Sequence, residues 1–303
     1  MADLTVLTPA YNRRKGLQKL FESLLAQTNK NFEWLIVDDG STDDTSLFVQ
    51  QWVSCKEFSI RYYKKENGGK HTALNYSLDK ISTPLVFIVD SDDYLTSDAV
   101  DVIYEKYSLY KSEKDLCGLS FLRTKPDGSG YLSPPLPCDD IKSTYCECRV
   151  NGGLEGDMAE VWFTDKLREF PFPEFEGEKF LGEDTVWVKI SGKYKMRFFN
   201  KAIYVSEYLG DGLTRNRRRH NIQSPRGCVA RAEAFLSSDV DFKHKVKSML
   251  QYFIYGRFAG ESYAWLLRNS QSKALAVICA APAAVIYTTW KKQYEKAKSR
   301  KMD

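Results

Sequence analysis

Residues 84–95 read PLVFIVDSDDYL, an apolar run that passes without a break into Asp90, Asp92 and Asp93. Carboxylates gathered at the mouth of a buried strand repel one another and cost stability unless a cation or hydrogen-bond donors meet them. The stretch therefore predicts a strand whose C-terminal end carries chemistry. Upstream the same pattern recurs. LTVLTP (4–9) runs into Pro9-Ala10-Tyr11-Asn12, FEWLIVDDGS (32–41) into Asp38-Asp39-Gly40-Ser41, and IRYYKKEN (60–67) into Asn67-Gly68-Gly69-Lys70. Between these strands lie helical patterns. RKGLQKLFESLLAQ (14–27) places Leu17, Leu20, Phe21, Leu24 and Leu25 at helical spacing. Ser41-Thr42-Asp43-Asp44 opens a helix to about Val53, GGKHTALNYSLDKI begins a third, and a fourth spans about 97–112. Such alternation predicts an α/β fold, a mostly parallel sheet flanked by helices on both faces, with ligands beyond the carboxyl ends of its strands.

After residue 115 the alternation weakens. Residues 116–124 and 196–208 read as strands, 159–170 and 183–193 as helices, and 215–227 as a polar, basic connection; the pattern is helical from Asp241 onward. With 303 residues, 43% hydrophobic and 14% aromatic, the chain has ample material for a core, which excludes global disorder. Its 44 basic and 40 acidic residues leave a net charge of +4, too little for a dedicated nucleic-acid binder. The seven cysteines are scattered and the first residues lack an apolar signal core, which predicts reduced thiols and a cytoplasmic setting. Cys138, Cys146 and Cys148 suggest zinc only weakly, since no Cys-x-x-Cys is present and His71, His220 and His244 are remote in sequence.

At the strand ends, Asp90-Ser91-Asp92 places two carboxylates near one volume. Beside a bound diphosphate they require a divalent cation, Mn2+ or Mg2+, to reverse the sign of the contact. Alone, an acidic turn that caps a helix is the better explanation. Tyr11 offers a face for a nucleobase and Asp39 an acceptor for a base N–H; a boundary aromatic and a helix-entry turn are the alternatives. Asn67-Gly68-Gly69-Lys70 puts amides and a lysine where donor phosphates would sit at a helix start, or forms a plain loop. His71 reads as a helix-surface histidine. Gly182-Glu183-Asp184 opens an amphipathic helix, either as a general base or as an acidic first turn favoured by the helix dipole. RNRRRH (215–220) suits a diphosphate, a lipid phosphate or solvated loop charge.

With TVLTPAYNR, FEWLIVDDGSTDDT, ENGGKHTALN and PLVFIVDSDD in this order, the chain resembles an inverting, nonprocessive family 2 glycosyltransferase of the GT-A fold. The resemblance is strong over 1–120 and weaker to about 230. It implies a GT-A domain over 1–230, with a nucleotide-binding half (1–115) and an acceptor-side half (116–230), followed by a helical region over 231–303. It implies a UDP-sugar donor, with Pro9 and Tyr11 lining a uracil pocket and Asp39 reading the uracil edge. Asp90 would lie near ribose and metal, with Ser91 beside it, Asp92 would hold the metal, and Asp93 would substitute for it or support it. Asp184 would be the base, oriented by Glu183, and Glu207–Thr214 would lead to a site-covering segment. No Gln-x-x-Arg-Trp motif is present, as expected for single-sugar transfer. A sugar-phosphate nucleotidyltransferase is a rival, but PAYNRRKG lacks the Gly-rich turn such enzymes use; a non-catalytic partner subunit is another.

ALAVICAAPAAVIYTTW (274–290), followed by KKQYEKAKSRK, is apolar but shorter than the ~20 residues of a comfortable span. Pro282 interrupts it. The reading favoured over a buried helix or a span is a helix on a membrane surface, with Trp290 at the interface and Lys291, Lys292, Lys296 and Lys298 toward anionic lipid. The acceptor is then a glycan, plausibly lipid-linked, and the enzyme peripheral at the inner face of the cell membrane, working in cell-surface polysaccharide synthesis.

Overall fold

Strand β1, Leu4–Ala10, is buried along its whole length in the computed structural model of the chain. Its two internal hydroxyls are matched: Thr5 Oγ1 donates to Glu33 at 2.7 Å, and Thr8 Oγ1 accepts from the Trp34 indole at 3.0 Å. A polar residue can occupy a central strand only on those terms. The structure describes residues 2–54, 56–154, 156–206 and 217–299. Cys55, the stretch Glu207–Thr214, Arg215 and Asn216 lie outside the described residues. Two units are compact, one of residues 1–172 with 190–209 and one of 173–189 with 210–303. They do not divide at 230, where the sequence suggested a boundary.

The first unit holds β1, β2 (Phe32–Asp38), β3 (Ser59–Lys64), β4 (Leu85–Ile88), β5 (Tyr94–Leu95), β6 (Leu116–Thr124), β7 (Ile141–Ser143), β8 (Met158–Phe163) and β9 (Lys195–Val205). Helices α1 (Arg14–Leu25), α2 (Thr45–Gln50), α3 (Lys70–Leu78), α4 (Ala99–Tyr110) and α5 (Thr164–Arg168) connect them. The strands form one sheet in the order β3-β2-β1-β4-β8-β6-β9-β5, with β7 on β9. From β3 to β4 every pairing is parallel. Beyond β4 the sheet is mixed, antiparallel at β4–β8, β8–β6, β9–β5 and β9–β7, and parallel at β6–β9. Its core includes Leu17, Leu20 and Leu24 of α1 as read from their spacing, and Phe21 stacks on Trp52 with ring centroids 4.5 Å apart. Burying such side chains is worth about 1.5–3 kcal/mol each.

Two sequence expectations for this unit are corrected. Residues 159–170 are not one helix; they give β8 and then the short α5. Sandwiched between β4 and β6, β8 presents an apolar run without alternation, which periodicity does not separate from a buried helix. His71 is 2% exposed, because α3 is covered on nearly every side.

The second unit is helical, with α6 (Asp184–Ser191) beginning in it, then α7 (Arg217–Gln223), α8 (Pro225–Ser237), α9 (Phe242–Phe258), α10 (Tyr263–Asn269) and α11 (Lys273–Ser299). The basic stretch expected to be a connection is α7 and the start of α8, where Pro225 fits the first turn because its missing N–H is not needed there. Met249, Tyr252, Phe253, Leu266, Leu275 and Cys279 pack its core. Helix α11 is longer than the apolar run and continues through Pro282. Residues 273–297, with mean hydropathy 1.4 over their most apolar window, are long and apolar enough to cross a membrane by length and composition alone. Leu275, Ala276, Cys279 and Ala283 are buried, whereas Val277, Ile278 and Val285 are each 69% exposed. Trp290 is half-buried, with Arg218 4.6 Å from its ring and Tyr255 at 6.2 Å.

The C-terminal carbonyls of α3 are closed by Arg168, whose guanidinium donates to Leu78 O at 2.8 and 3.1 Å and to Ile81 O. Arg168→Ala is expected to lower unfolding free energy by about 1–2 kcal/mol. Urea denaturation should show a lower midpoint with an unchanged slope; an unchanged midpoint would remove this cap from the account.

Candidate active site at the sheet edge

Strand order reverses at β1: the chain moves outward to β2 and β3 on one side, and returns to place β4 on the other. The carboxyl ends of β1 and β4 therefore flank the crevice where open α/β sheets bind ligands. Backbone bonds carry the ladder past the strands, with Asp39 N–H donating to Ala10 O at 2.8 Å and Val89 N–H to Leu7 O at 2.9 Å. Pro9 is buried in β1, and Tyr11 beyond it is 46% exposed. Asn12, at φ 52°, turns the chain there; its side-chain oxygen accepts from Thr42 N at 2.9 Å and its amide donates to Ser41 Oγ at 2.9 Å.

Asp38 is buried, accepting from Ser41 N at 2.6 Å and from the Tyr62 hydroxyl. Asp39 accepts from Lys65 Nζ (2.9 Å), Asn67 Nδ2 (3.0 Å), Gly68 N (2.9 Å) and Gly69 N (2.7 Å). A carboxylate has about four acceptor positions, so protein donors use all of them. The amides expected to face a phosphate are instead held by Asp39, which ties the 65–69 loop to the end of β2. Gly40, at φ +79°, sits below that loop, where a Cβ would lie 2.8 Å from Asn67 N.

At β4 the carboxylates have cations. Lys70 Nζ pairs with Asp90. Arg123, at the end of β6, lies 3.9 Å from Asp90 and 3.6 Å from Asp93, donates to Met158 O at 2.7 Å, and stacks on the Tyr204 ring at 4.1 Å. Tyr204, its register partner on β9, accepts from Asp90 N at 2.9 Å and donates to Asp93 at 2.8 Å; Ser206 adds a bond to Asp93 at 3.1 Å. Burial pushes the Asp90 pKa upward, but Lys70 and Arg123 outweigh it and hold it below the usual range. Asp93 is raised to about 6 by burial and by Asp90. Asp93 is thus tied to β6 by Arg123 and to the end of β9 by Tyr204 and Ser206. Asp92 has no ion-pair partner among the described residues, and burial and the Asp90 charge raise its pKa despite Arg13. Such a carboxylate gains from a cation. Two carboxylates with phosphate oxygens and water suit Mg2+ or Mn2+, and among the described residues no group of three or more His, Cys, Asp or Glu is arranged to hold a metal.

Ser91 and Asp92 rest against α1 at Gly16, where a Cβ would stand 2.2 Å from Ser91 O. A glycine inside an otherwise helical pattern was the available sign of this contact. Arg123 and Tyr204 left no sign, because only β6–β9 register brings them together.

Glu183 and Asp184 belong to the second unit. Asp184 opens α6 and is gripped by Arg231, with Nε to Oδ1 at 2.7 Å and a second bond to Oδ2; Arg231 also donates to Gln251 at 3.2 Å. Burial raises the Asp184 pKa, but Arg231, with Arg217 and Lys247, brings it below the ordinary value. Gly182 leaves the carboxylate its room, since a Cβ there would lie 2.7 Å from Oδ1.

Residues 5–131 match the family model described as Glycosyl transferase family 2. Over 115 residues the chain is 38% identical to Glycosyltransferase GlyA of Streptococcus pneumoniae serotype 4, an alignment covering 36% of this chain and 16% of that protein. The structure resembles S. aureus TarS 1–349 in complex with UDP-GlcNAc, with TM-score 0.63, 19% identity and coverage of 93% and 80% of the two chains. It also resembles the mannosyltransferase PcManGT from Pyrobaculum calidifontis in complex with GDP-Man and Mn2+, with TM-score 0.57, 16% identity and coverage of 97% and 83%. At these identities the likeness is one of fold, which is GT-A.

Two outcomes follow from this geometry. An acid whose folded pKa is raised contributes stability that is full below its unfolded value and is lost as pH rises through the folded one. For Asp93 that window runs from 3.8 to about 6. Unfolding free energy of the wild type should fall across it more steeply than that of Asp93→Asn; parallel curves would contradict the assignment. Gly16→Ala gains about 1 kcal/mol of helix propensity but presses on backbone, at about 1–3 kcal/mol. A net loss of stability is expected, and a more stable variant would show that the Ser91 contact yields freely.

Proposed function

We propose, from the match of residues 5–131 to the glycosyl transferase family 2 model, that this protein is a metal-dependent, inverting glycosyltransferase that moves one sugar from a UDP-sugar to an acceptor glycan. The observation that carries the reading is the asymmetry of Asp90 and Asp92 at the strand-order reversal: one is neutralised by Lys70 and Arg123, and the other keeps a raised pKa and no ion-pair partner among the described residues. Asp92, with Asp90 beside it, would hold Mg2+ or Mn2+, which when bound supplies positive charge for the leaving diphosphate.

Tyr11, exposed just beyond β1, offers the base a stacking face, with the buried Pro9 beside it in the strand. Asp39 acts through the Asn67–Gly69 loop it holds; its four donors compete with direct reading of a uracil N–H. Lys70 keeps Asp90 ionised. Asp184 takes the proton of the attacking hydroxyl. Its lowered pKa keeps it ionised at neutral pH, and the Arg231 fork fixes its orientation at some loss of basicity. Glu183, which precedes it, would orient that base or the acceptor. The acceptor is a glycan or lipid-linked saccharide, and the exposed Val277, Ile278 and Val285 face of α11 would rest on the inner surface of the cell membrane.

Calorimetry with UDP, with and without Mn2+, tests the donor site. Mn2+-dependent binding in the wild type that is lost in Asp92→Asn is expected; equal binding in both proteins would remove Asp92 from the site. Asp184→Asn should retain UDP binding while turnover falls on the order of 10²–10⁴-fold. Normal turnover would end its role as base, and absence of turnover from the wild type across a donor-sugar screen would favour a non-catalytic partner subunit.

A further inference from the structure

The second unit contains a cavity of about 280 Å3 whose wall includes Arg217, Arg218, Arg231 and Lys247, with no carboxylate among its lining residues. Arg231 pairs with Asp184, whose carboxylate Arg217 and Lys247 also help hold below its ordinary pKa, so three of the four cations share one neighbouring acid. Arg217, Arg218 and Lys247 form no ion pair among the described residues. Concentrating like charges in a concavity is unfavourable unless an anion is the intended occupant. The wall is also built to position one. Arg218 lies over the Trp290 ring, 4.6 Å from its centroid, a contact that favours an ordered guanidinium. Tyr255, 3% exposed, accepts a bond from Asn221 at 3.0 Å, so its hydroxyl hydrogen is left to point elsewhere. Cys228 in the same wall is pushed up to about 12 by burial and is no nucleophile. The volume falls near the lower end of small-molecule sites, about 300–1,000 Å3, and leaves room for a phosphate or diphosphate group.

We propose that this cavity binds a phosphate or diphosphate group carried by the acceptor. The inference rests on the proposed transferase reading for the word acceptor, but not for the anion site. Arg231 joins the two functions, since it lines the cavity and holds Asp184. A phosphate seated there would index the acceptor hydroxyl to the base. Phosphate chemistry has two sources, a lipid-linked saccharide diphosphate or a phosphodiester polymer.

The full chain is titrated with inorganic pyrophosphate in metal-free buffer by calorimetry, which leaves the Asp90–Asp92 edge without its cation. Binding is expected in the wild type, equally in Asp92→Asn, and at least tenfold weaker in Arg218→Gln/Lys247→Gln; both replaced residues are exposed, and circular dichroism checks the fold. Lys247→Arg should restore part of the affinity. No binding, or binding unchanged in the double variant, overturns the proposal. Displacement of pyrophosphate by a short-chain lipid diphosphate saccharide or by a glycerol phosphate oligomer identifies the source; displacement by neither overturns the acceptor role. Loss of UDP binding in every protein would sink the transferase reading while leaving the pyrophosphate result standing, so the two failures are distinguishable.

Discussion

The contact on which the first unit's chemistry depends is the meeting of Arg123, Tyr204 and the acids after β4. Three carboxylates at one strand end would drive the loop apart. Arg123 opposes that repulsion, and Tyr204 locks the geometry, because a single hydroxyl serves the Asp90 amide and the Asp93 carboxylate at once. Both residues come from the mixed part of the sheet. Its antiparallel strands therefore do more than widen the fold; their register delivers a cation and a phenol to the edge of the parallel part. Asp92 is the group this arrangement leaves without an ion-pair partner among the described residues, its pKa raised by burial and by Asp90.

The other strand ends are laced on the same principle, that an acid is kept only where donors meet it. Asp38 closes the turn after β2, and Asp39 holds the 65–69 loop through two backbone amides and two side chains. Asn12 ties the end of β1 to the entry of α2. The edge is thereby preorganised by short-range bonds between segments about 30 residues apart in sequence. In the second unit, Arg231 does for Asp184 what Lys70 does for Asp90, with a planar fork in place of a point charge.

Much of this was legible in the chain. Strand-to-acid boundaries marked the sheet edge, because burial and charge change abruptly there, and Leu17, Leu20 and Leu24 marked the buried face of α1. What escaped depends on tertiary cover. β8 lacks alternation because both of its faces are buried, and His71 is hidden by its surroundings, not by its own helix. Asp39 was visible as an acceptor, but which donors reach it is decided by the fold of the 65–69 loop. Arg123 and Tyr204 are 81 positions apart and meet through register alone. Trp290 was read from the run it terminates, whereas its contact with Arg218 comes from tertiary packing.

Pro282 gives α11 a property of its own. Lacking an N–H, it leaves the carbonyl of Ile278 without its helical donor, on a residue that is 69% exposed. Water satisfies that oxygen at an aqueous boundary; hydrocarbon would not, at a cost of several kcal/mol. Were this helix to meet a bilayer, the cost of dehydrating that one backbone oxygen would oppose the gain from burying the valines and isoleucine.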